Sequence, residues 1–406
     1  MSKTRKGNAV IGQSGGPTAV INQSLVGVIE TVKKHRSIGR LLGAKHGVCG
    51  IVKEDFVDLK PLAKPLLERV AGTPAAALGS TRDKPDEAYC ERIFRVFEKH
   101  DVRYFFYIGG NDSADTARIV NELAHEAGYE LRVFHIPKTI DNDLRVTDHC
   151  PGYGSAARFV ASAFMGDNRD GTALPGIKIN VVMGRHAGWL TAASALGRLD
   201  KKDGPHLVYV PEVPFSTKRF LDDVRSTYDK LGRCQIAVSE GISDETGTPV
   251  TVALASELGH RVERDSHGNV QLSGSGALGD FLSDFIKSRM KKSYESLRVR
   301  ADTFGYLQRS FPGFASPVDQ REARECGRKA VELAMAGDID GSVAIQRLKG
   351  AAYKVKFVKA ELRDVARVTK EMPRSYLNKA GNHVTAGFLK YAAPLTGGLP
   401  EIDKLF

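Results

Sequence analysis

Short apolar runs and longer stretches of helical period take turns along this chain. The first run, NAVIG (residues 8–12), has the length of a buried strand. After it Val20, Ile21, Leu25, Val28, Ile29 and Val32 recur at the spacing of one helix face. VRYFFYI (102–108) is rich in aromatic and β-branched residues and predicts a second strand, with a helix following through Ala117, Val120 and Leu123. LRVFHI (131–136), IKINVVM (177–183), 207–210 and 234–239 read likewise as strands. Helices are expected over 86–100, after the glycine turn in HCPGYGSAARF (149–159), through Leu278, Phe281, Leu282 and Phe285, over 317–336, and around 360–370. Residues 40–75 are broken up by Gly43, Gly47, Gly50, Pro61, Pro65 and Pro74. Residues 243–275 are polar and glycine-rich, and read as an irregular excursion containing a short strand. Strands alternating with helices predict an α/β architecture with mainly parallel sheets.

The polar residues that matter follow the strands. LRVFHI leads into PKTIDND (137–143), where Pro137 stops the strand pattern and Asp141, Asn142 and Asp143 sit just past its carboxyl end. That is where ligands bind in open α/β sheets. Two carboxylates with Lys138 just before them suit proton abstraction beside an anionic group; taken alone, the segment is equally an acidic surface turn. The first strand ends in Gln13-Ser14-Gly15-Gly16-Pro17. Pro17 is expected in the first turn of the next helix, an arrangement that aims backbone N–H groups at a phosphate. The spacing matches neither standard glycine-rich nucleotide fingerprint, so on this stretch alone a plain tight turn is the better reading. Arg82, in LGSTR (78–82), is either a second phosphate contact or an exposed arginine. In GGNDS (109–113), Asp112 or Ser113 can cap the helix or face a ligand. Arg185, in GRHAG (184–188), can anchor a phosphate bidentately. His186 and His206 lie near strand ends, where a satisfied polar histidine is the commoner case. Glu240 closes the strand at 234–239, and Arg300, Tyr306 and Arg309 cluster in RVRADTFGYLQR (298–309), which otherwise reads as a basic surface turn. Ligand-type residues after strand upon strand are far less probable as surface turns than any single case.

Composition narrows the partners. A chain of 406 residues is long for one domain and comfortable for two. Its formal net charge of +11 suits nucleic acid or small phosphorylated ligands. The densest basic stretch, KSRMKKSYESLRVR (287–300), lacks regular aromatic interleaving, which favours the small ligands and predicts no nucleic-acid partner. No apolar run is long enough to span a bilayer, so no membrane partner is expected. MSKTRKGNAV has no apolar core or cleavage site behind its basic residues, so a cytoplasmic location is expected. The five cysteines are far apart, without metal spacing, and are expected to be reduced, buried thiols.

In the order GQSGG, GSTR, GGNDS, PKTIDND, MGRHAG, SE and RADTFGYLQR, the residues between 12 and 309 resemble the phosphofructokinase family. The resemblance implies two similar doubly wound α/β domains with an active-site cleft between them. Residues 1–152 with about 308–370 would bind the phosphoryl donor, and 153–307 with about 371–406 would bind fructose 6-phosphate. It makes Asp141 the general base for the sugar's 1-hydroxyl. It assigns Thr139, Ile140, Asp141, Met183, Gly184, Arg185, Glu240, Tyr306, Leu307, Gln308 and Arg309 to the sugar and its phosphate, with Arg300 a further phosphate contact given across a subunit interface. Gly15, Arg82, Asp112 and Lys138 fall to the donor, with Lys138 and Asp112 joining Asp141 in catalysis.

Magnesium is the implied cofactor and a homodimer or homotetramer the implied assembly. Asn111 stands where many members have a magnesium-binding aspartate; its neutral carbonyl is a weaker ligand, so Asp112 or Asp143 would share the metal. Asp112 and Lys138 replace glycines typical of ATP-using members, which is the pattern of the pyrophosphate-using branch. A carboxylate at 112 in a partly dry site, where an ATP α-phosphate would lie, is expected to cost several kcal/mol and exclude ATP roughly a thousandfold. Lys138 would stabilise charge on the short donor. The expected reaction is reversible transfer from pyrophosphate to fructose 6-phosphate. An ATP-dependent kinase is the alternative, and a non-catalytic phosphosugar sensor or nucleic-acid binder the contrasting class; a sensor would have lost the base or the metal position, and while Asp141 and Asp143 are intact and favour an enzyme, the Asn111 departure leaves that class open.

Overall fold

The computed structural model describes residues 5–258, 276–350 and 352–404. The chain begins β1 (Gly7–Gln13), α1 (Ile21–Val32), β2 (Ile38–Ala44), α2 (Val48–Val52), β3 (Phe56–Asp58), α3 (Lys64–Gly72) and α4 (Glu87–Lys99). It continues through β4 (Val102–Gly109), α5 (Asn111–Glu126), β5 (Arg132–Pro137), α6 (Tyr153–Ala173), β6 (Ile177–Val182), α7 (Trp189–Ala193), β7 (Leu207–Tyr209) and α8 (Thr217–Leu231). Then come β8 (Cys234–Ser239), α9 (Val250–Leu258), α10 (Ala277–Met290), β9 (Val299–Thr303), α11 (Leu307–Ser310) and α12 (Pro317–Ala336). It ends with β10 (Asp340–Arg347), β11 (Val355–Ala360), α13 (Leu362–Val365) and α14 (Ala386–Ala392). Two compact units result: Met1–Ala156 with Arg309–Lys370, and Ala157–Gln308 with Glu371–Phe406.

Among the described residues, the first unit has a seven-stranded sheet in the order β11-β10-β5-β4-β1-β2-β3. All pairs are parallel except the two at the edges, β10 with β11 and β2 with β3. The central strands are buried on both faces, which is why their sequences are unbroken apolar runs. Ile11, Phe106, Ile108 and Phe134 face one core together with residues of α1, α3 and α12. Val10, Phe105, Tyr107 and Val133 face the other, with residues of α2, α4 and α5. The chain leaves β1 for β2 on one side and later returns to β4 on the other. The carboxyl ends of β1 and β4 therefore flank the point where the winding reverses, the usual ligand crevice of such sheets.

Helices α1 and α12 cross closely, because glycines sit at the crossing on both. A Cβ on Gly27 would collide with the Arg324 carbonyl, and one on Gly327 with the Ser24 carbonyl. Arg324 then bridges Glu30 and Glu68 over the crossing (2.8 and 2.7 Å).

The second unit has four parallel strands among its described residues, in the order β7-β8-β6-β9. One face packs against α8, α9 and α10 through Phe220, Leu254, Leu282 and Phe285. The carboxyl ends of β8, β6 and β9 lie side by side. Residues after 371 add an aromatic group in which Tyr376 and Tyr391 pack against Trp189.

Several expectations need correction. α1 starts at Ile21, so Pro17 lies four residues before the helix, not in its first turn. The helix expected at 317–336 is present as α12, but β10 and β11 follow it unannounced, and the helix expected around 360–370 shrinks to the four residues of α13. In the excursion at 243–275, residues 250–258 form a helix that was not expected, and 259–275 lie outside the described residues. Neither Asp112 nor Ser113 caps α5, whose N-cap is Gly110; both sit inside its first turn. Pro137 is the last residue of β5, paired with Gly109 of β4, so the sheet runs one residue further than the sequence pattern.

Candidate active site

In the first unit, the loops after β1, β4 and β5 converge because their strands are neighbours. Lys138 leaves β5 with its N–H donating to the Gly109 carbonyl (2.9 Å). The same carbonyl meets His135 Nε2 (2.9 Å), while His135 Nδ1 meets Ser342. Burial pulls the His135 imidazole down to about 4, so it is neutral, and its Nε2 must be the protonated nitrogen facing the carbonyl. The Lys138 ammonium donates to the Gly16 carbonyl (2.8 Å), and the side chain is only 4 % exposed. Gly15 is left-handed (φ 75°), and a Cβ there would sit 3.0 Å from Lys138 Nζ; on Gly16 a Cβ would sit 2.7 Å from Arg309 Nη1. Glycines at 15 and 16 thus leave room for two cations against the turn. Ser80 and Thr81 hold the turn from the other side: the Ser80 hydroxyl donates to the Gly15 carbonyl (2.6 Å) and Gly15 N–H to the Thr81 carbonyl (2.9 Å).

The electrostatics follow from this crowding. Burial pulls the Lys138 ammonium down to about 8; Arg309 and Arg82 push the same way, while Asp141 and Asp143 oppose. Both carboxylates of the TIDND segment are therefore neighbours of Lys138. Asp141 N–H is held by the Thr139 hydroxyl (3.1 Å), and Asn142, left-handed at φ 57°, accepts from Cys150 N–H (3.0 Å) through its side chain. Ile140 is buried. Asp112 differs: its side chain is 54 % exposed and ion-pairs with Lys84 (2.9 Å). Its own N–H is taken by Asn111 Oδ1 (2.9 Å). Arg82 is exposed.

In the second unit, the loops after β6, β8 and β9 interlock. Met183 N–H donates to Gln308 Oε1 (3.3 Å), and the Ser239 hydroxyl donates to the Gly184 carbonyl (2.5 Å). Gly184 has φ 137°, a value that favours glycine, and a Cβ on Gly241 would overlap the Arg185 carbonyl. Glu240, next to Gly241, is buried; Arg185 and His186 are exposed. Tyr306 and Leu307 are exposed around buried Gln308. Arg300 is exposed on edge strand β9, in register with Lys178. Met183 to Arg185, Glu240, Arg300 and Tyr306 to Gln308 thus belong to the second unit, while Thr139 to Asp141 and Arg309 belong to the first.

A family model, phosphofructokinase, matches residues 8–334. The chain belongs to the phosphofructokinase family. It is similar to a pyrophosphate–fructose 6-phosphate 1-phosphotransferase of Rhodospirillum rubrum, with 56% identity over 98% of this chain and 97% of that protein. A protein of the same name from Halomonas elongata is 38% identical over 98% of this chain and 96% of its own. The crystal structure of a pyrophosphate-dependent phosphofructokinase from Marinobacter aquaeolei superposes with a TM-score of 0.85 at 33% identity, over 98% of this chain and 94% of that one. The family's α/β fold with mainly parallel sheets is the fold found here.

Other residues that shape these loops escaped the sequence reading. His135 looked like one more strand residue. Asp319, in the first turn of α12, accepts from Gly152 N–H (2.9 Å) and from Ser155 N–H and hydroxyl (2.8 and 2.6 Å), so it caps α6 from a distant part of the chain. Burial raises its carboxyl to about 6, against those three hydrogen bonds. Only the GSTR motif pointed to Ser80 and Thr81. Among the described residues, no group of three or more His, Cys, Asp or Glu side chains is arranged to hold a metal, and no helix is long and apolar enough to cross a membrane.

Proposed function

We propose that this protein reversibly transfers a phosphoryl group from pyrophosphate to the 1-hydroxyl of fructose 6-phosphate, giving fructose 1,6-bisphosphate and phosphate in glycolysis and gluconeogenesis. The observation that carries this reading is the buried Lys138 ammonium, set against the glycine turn and flanked by Asp141, Asp143 and Arg309. A buried cation beside a turn with no side chains suits a small, highly charged donor better than a nucleotide. The names carried by its relatives at 56% and 38% identity support the same reading.

Asp141 takes the proton of the sugar 1-hydroxyl as that oxygen attacks phosphorus in line. The phosphorus bond to the bridging oxygen breaks, and inorganic phosphate leaves. Lys138 neutralises charge on the donor as it spreads in the transition state. Gly15, Arg82 and Asp112 line the donor. Thr139, Ile140, Met183, Gly184, Arg185, Glu240 and Tyr306 to Arg309 hold the sugar and its phosphate. Arg300 serves a neighbouring copy in a homodimer or homotetramer. Cytoplasmic chemistry fits these metabolites.

Magnesium fits the oxygens present, since it usually takes one or two carboxylates and completes its shell with substrate phosphates. Asp143 with Asn111, and Asp112 beside it, would hold the metal; when bound, it supplies charge neutralisation on the donor. The experiment is an initial-rate comparison of pyrophosphate and ATP at equal concentration, with fructose 6-phosphate and magnesium. Turnover with pyrophosphate alone is expected. Turnover with ATP would keep Asp141 as base and overturn the donor.

A further inference from the structure

We propose that Lys370 is a positioning residue for this reaction: it fixes the Asp141–Asp143 carboxylates by tying down the far side of the loop that carries them. The inference rests on the reaction assigned above. Beyond β5 the backbone forms no helix or strand until α6, and it passes through two left-handed non-glycine residues, Asn142 and Val146 (φ 57° and 66°). Such a path persists only where the surroundings over-determine it.

The short segment Thr369–Lys370 supplies part of that restraint. Thr369 forms an antiparallel bridge with Leu144. Lys370 N–H donates to the Asp143 carbonyl (2.6 Å). The Lys370 ammonium then reaches across the loop and donates to the carbonyls of Thr147 and Asp148 (3.0 Å each). One residue thus holds the root of the loop by its backbone and the return by its side chain. Other bonds share the work: Cys150 N–H donates to the Asn142 side chain (3.0 Å), Asp148 N–H to the Ile345 carbonyl (2.8 Å), and Ile345 N–H to the Thr147 hydroxyl (2.9 Å). Charge-assisted hydrogen bonds to two carbonyls are stronger than the neutral bonds a serine or glutamine would offer. Burial draws the Lys370 ammonium below the usual lysine range, while Cys150, Asp148 and Asp143 pull it back.

Nothing in the sequence around RVTKEMP announces this role, since Lys370 belongs to none of the motifs that carry the chemistry. Its bonds to the loop go to backbone carbonyls, so it acts through the placement of Asp141 and Asp143.

The test is Lys370→Met in the full-length chain, with Lys370→Arg beside it. Misplacing a reacting group by about 1 Å costs on the order of 100-fold. Lys370→Met is therefore expected to lower kcat about 30- to 100-fold while leaving both KM values within about twofold. Hydrogen exchange across residues 139–150 should quicken in the same variant. Lys370→Arg, which keeps a cation with several donors, should recover most of kcat. A folded Lys370→Met variant with normal kcat overturns the proposal. So does a loss of rate that merely tracks loss of folded protein, and so does unchanged exchange in 139–150. If the unmodified chain turns over no fructose 6-phosphate with pyrophosphate, the reaction assignment has failed. The exchange comparison still decides whether Lys370 anchors the loop: faster exchange sustains the anchoring, and unchanged exchange overturns it.

Discussion

Lys138 and Asp112 follow adjacent parallel strands, β5 and β4, whose last residues are paired as Pro137 with Gly109. From the sequence they looked like equal partners in choosing the donor. Lys138 lies in a nearly dry setting, 4 % exposed and bonded to the Gly16 carbonyl. Asp112 faces solvent, 54 % exposed and paired with Lys84. A charge in the first environment interacts several times more strongly than one in the second, and exposed ion pairs are worth about 0–1 kcal/mol. The thousandfold exclusion of ATP expected from Asp112 presumed a partly dry site, and the dry site is at Lys138 instead. What remains to Asp112 in excluding ATP is chiefly the space it fills.

The buried side of this comparison should give the largest effects. Asp141→Asn or Asp141→Ala is expected to cut kcat by about 100- to 10,000-fold with KM for fructose 6-phosphate largely kept. Near-normal turnover would remove Asp141 from the role of base. Lys138→Met should lower kcat with pyrophosphate by about 100- to 1,000-fold, the usual loss when one preorganised charge partner is deleted. The same residue predicts a pH dependence. Its folded value of about 8 lies below the ordinary 10.5, so the ammonium is charged below about pH 8 and neutral well above it. Rate at low pyrophosphate should fall through that region, and a profile unchanged to high pH would deny Lys138 its part in donor binding. Burying this cation disfavours folding below about pH 8, and that penalty relaxes as pH rises from there towards 10.5.

Asp319 extends the comparison to a buried charge with no catalytic part. Asp319→Ala leaves three donors at the start of α6 without an acceptor and should cost about 1–3 kcal/mol of stability, read from the denaturant midpoint, with kcat of the folded variant kept. A large kcat loss would mean that α6 and its cap bear on the chemistry directly. The smallest effect is expected from the exposed side: Asp112→Gly should raise turnover with ATP about tenfold at most, in line with a solvent-screened charge. A thousandfold gain would show that Asp112 becomes buried when the donor binds.

The same contrast explains what could be read from the sequence. β1, β4, β5, β6 and β8 were legible because burial on both faces makes a strand an apolar run. β11 was not, since VKFVKA is a half-exposed edge strand whose lysines break the pattern, and β2 and β3 were hidden among glycines and prolines that serve close packing. At the candidate site, residues that follow strands were legible as motifs. Asp319, His135 and Lys370 were not, because each acts on a backbone far away in sequence. The left-handed residues Asn142 and Val146 likewise gave no sign of a loop that needs holding.

The closely crossed helices α1 and α12 have a consequence for synthesis. The glycine contacts at Gly27 and Gly327 bring together segments separated by the whole of residues 157–308. A ribosome adding about 5–20 residues per second needs roughly 8–30 s to make that intervening length. Throughout that interval α1, buried on nearly every side in the finished fold, has no partner for its Gly27 face. Newly made chains should therefore be most prone to misassociate just before α12 emerges, and a chain stalled there would be a natural client for a chaperone that shields apolar helices.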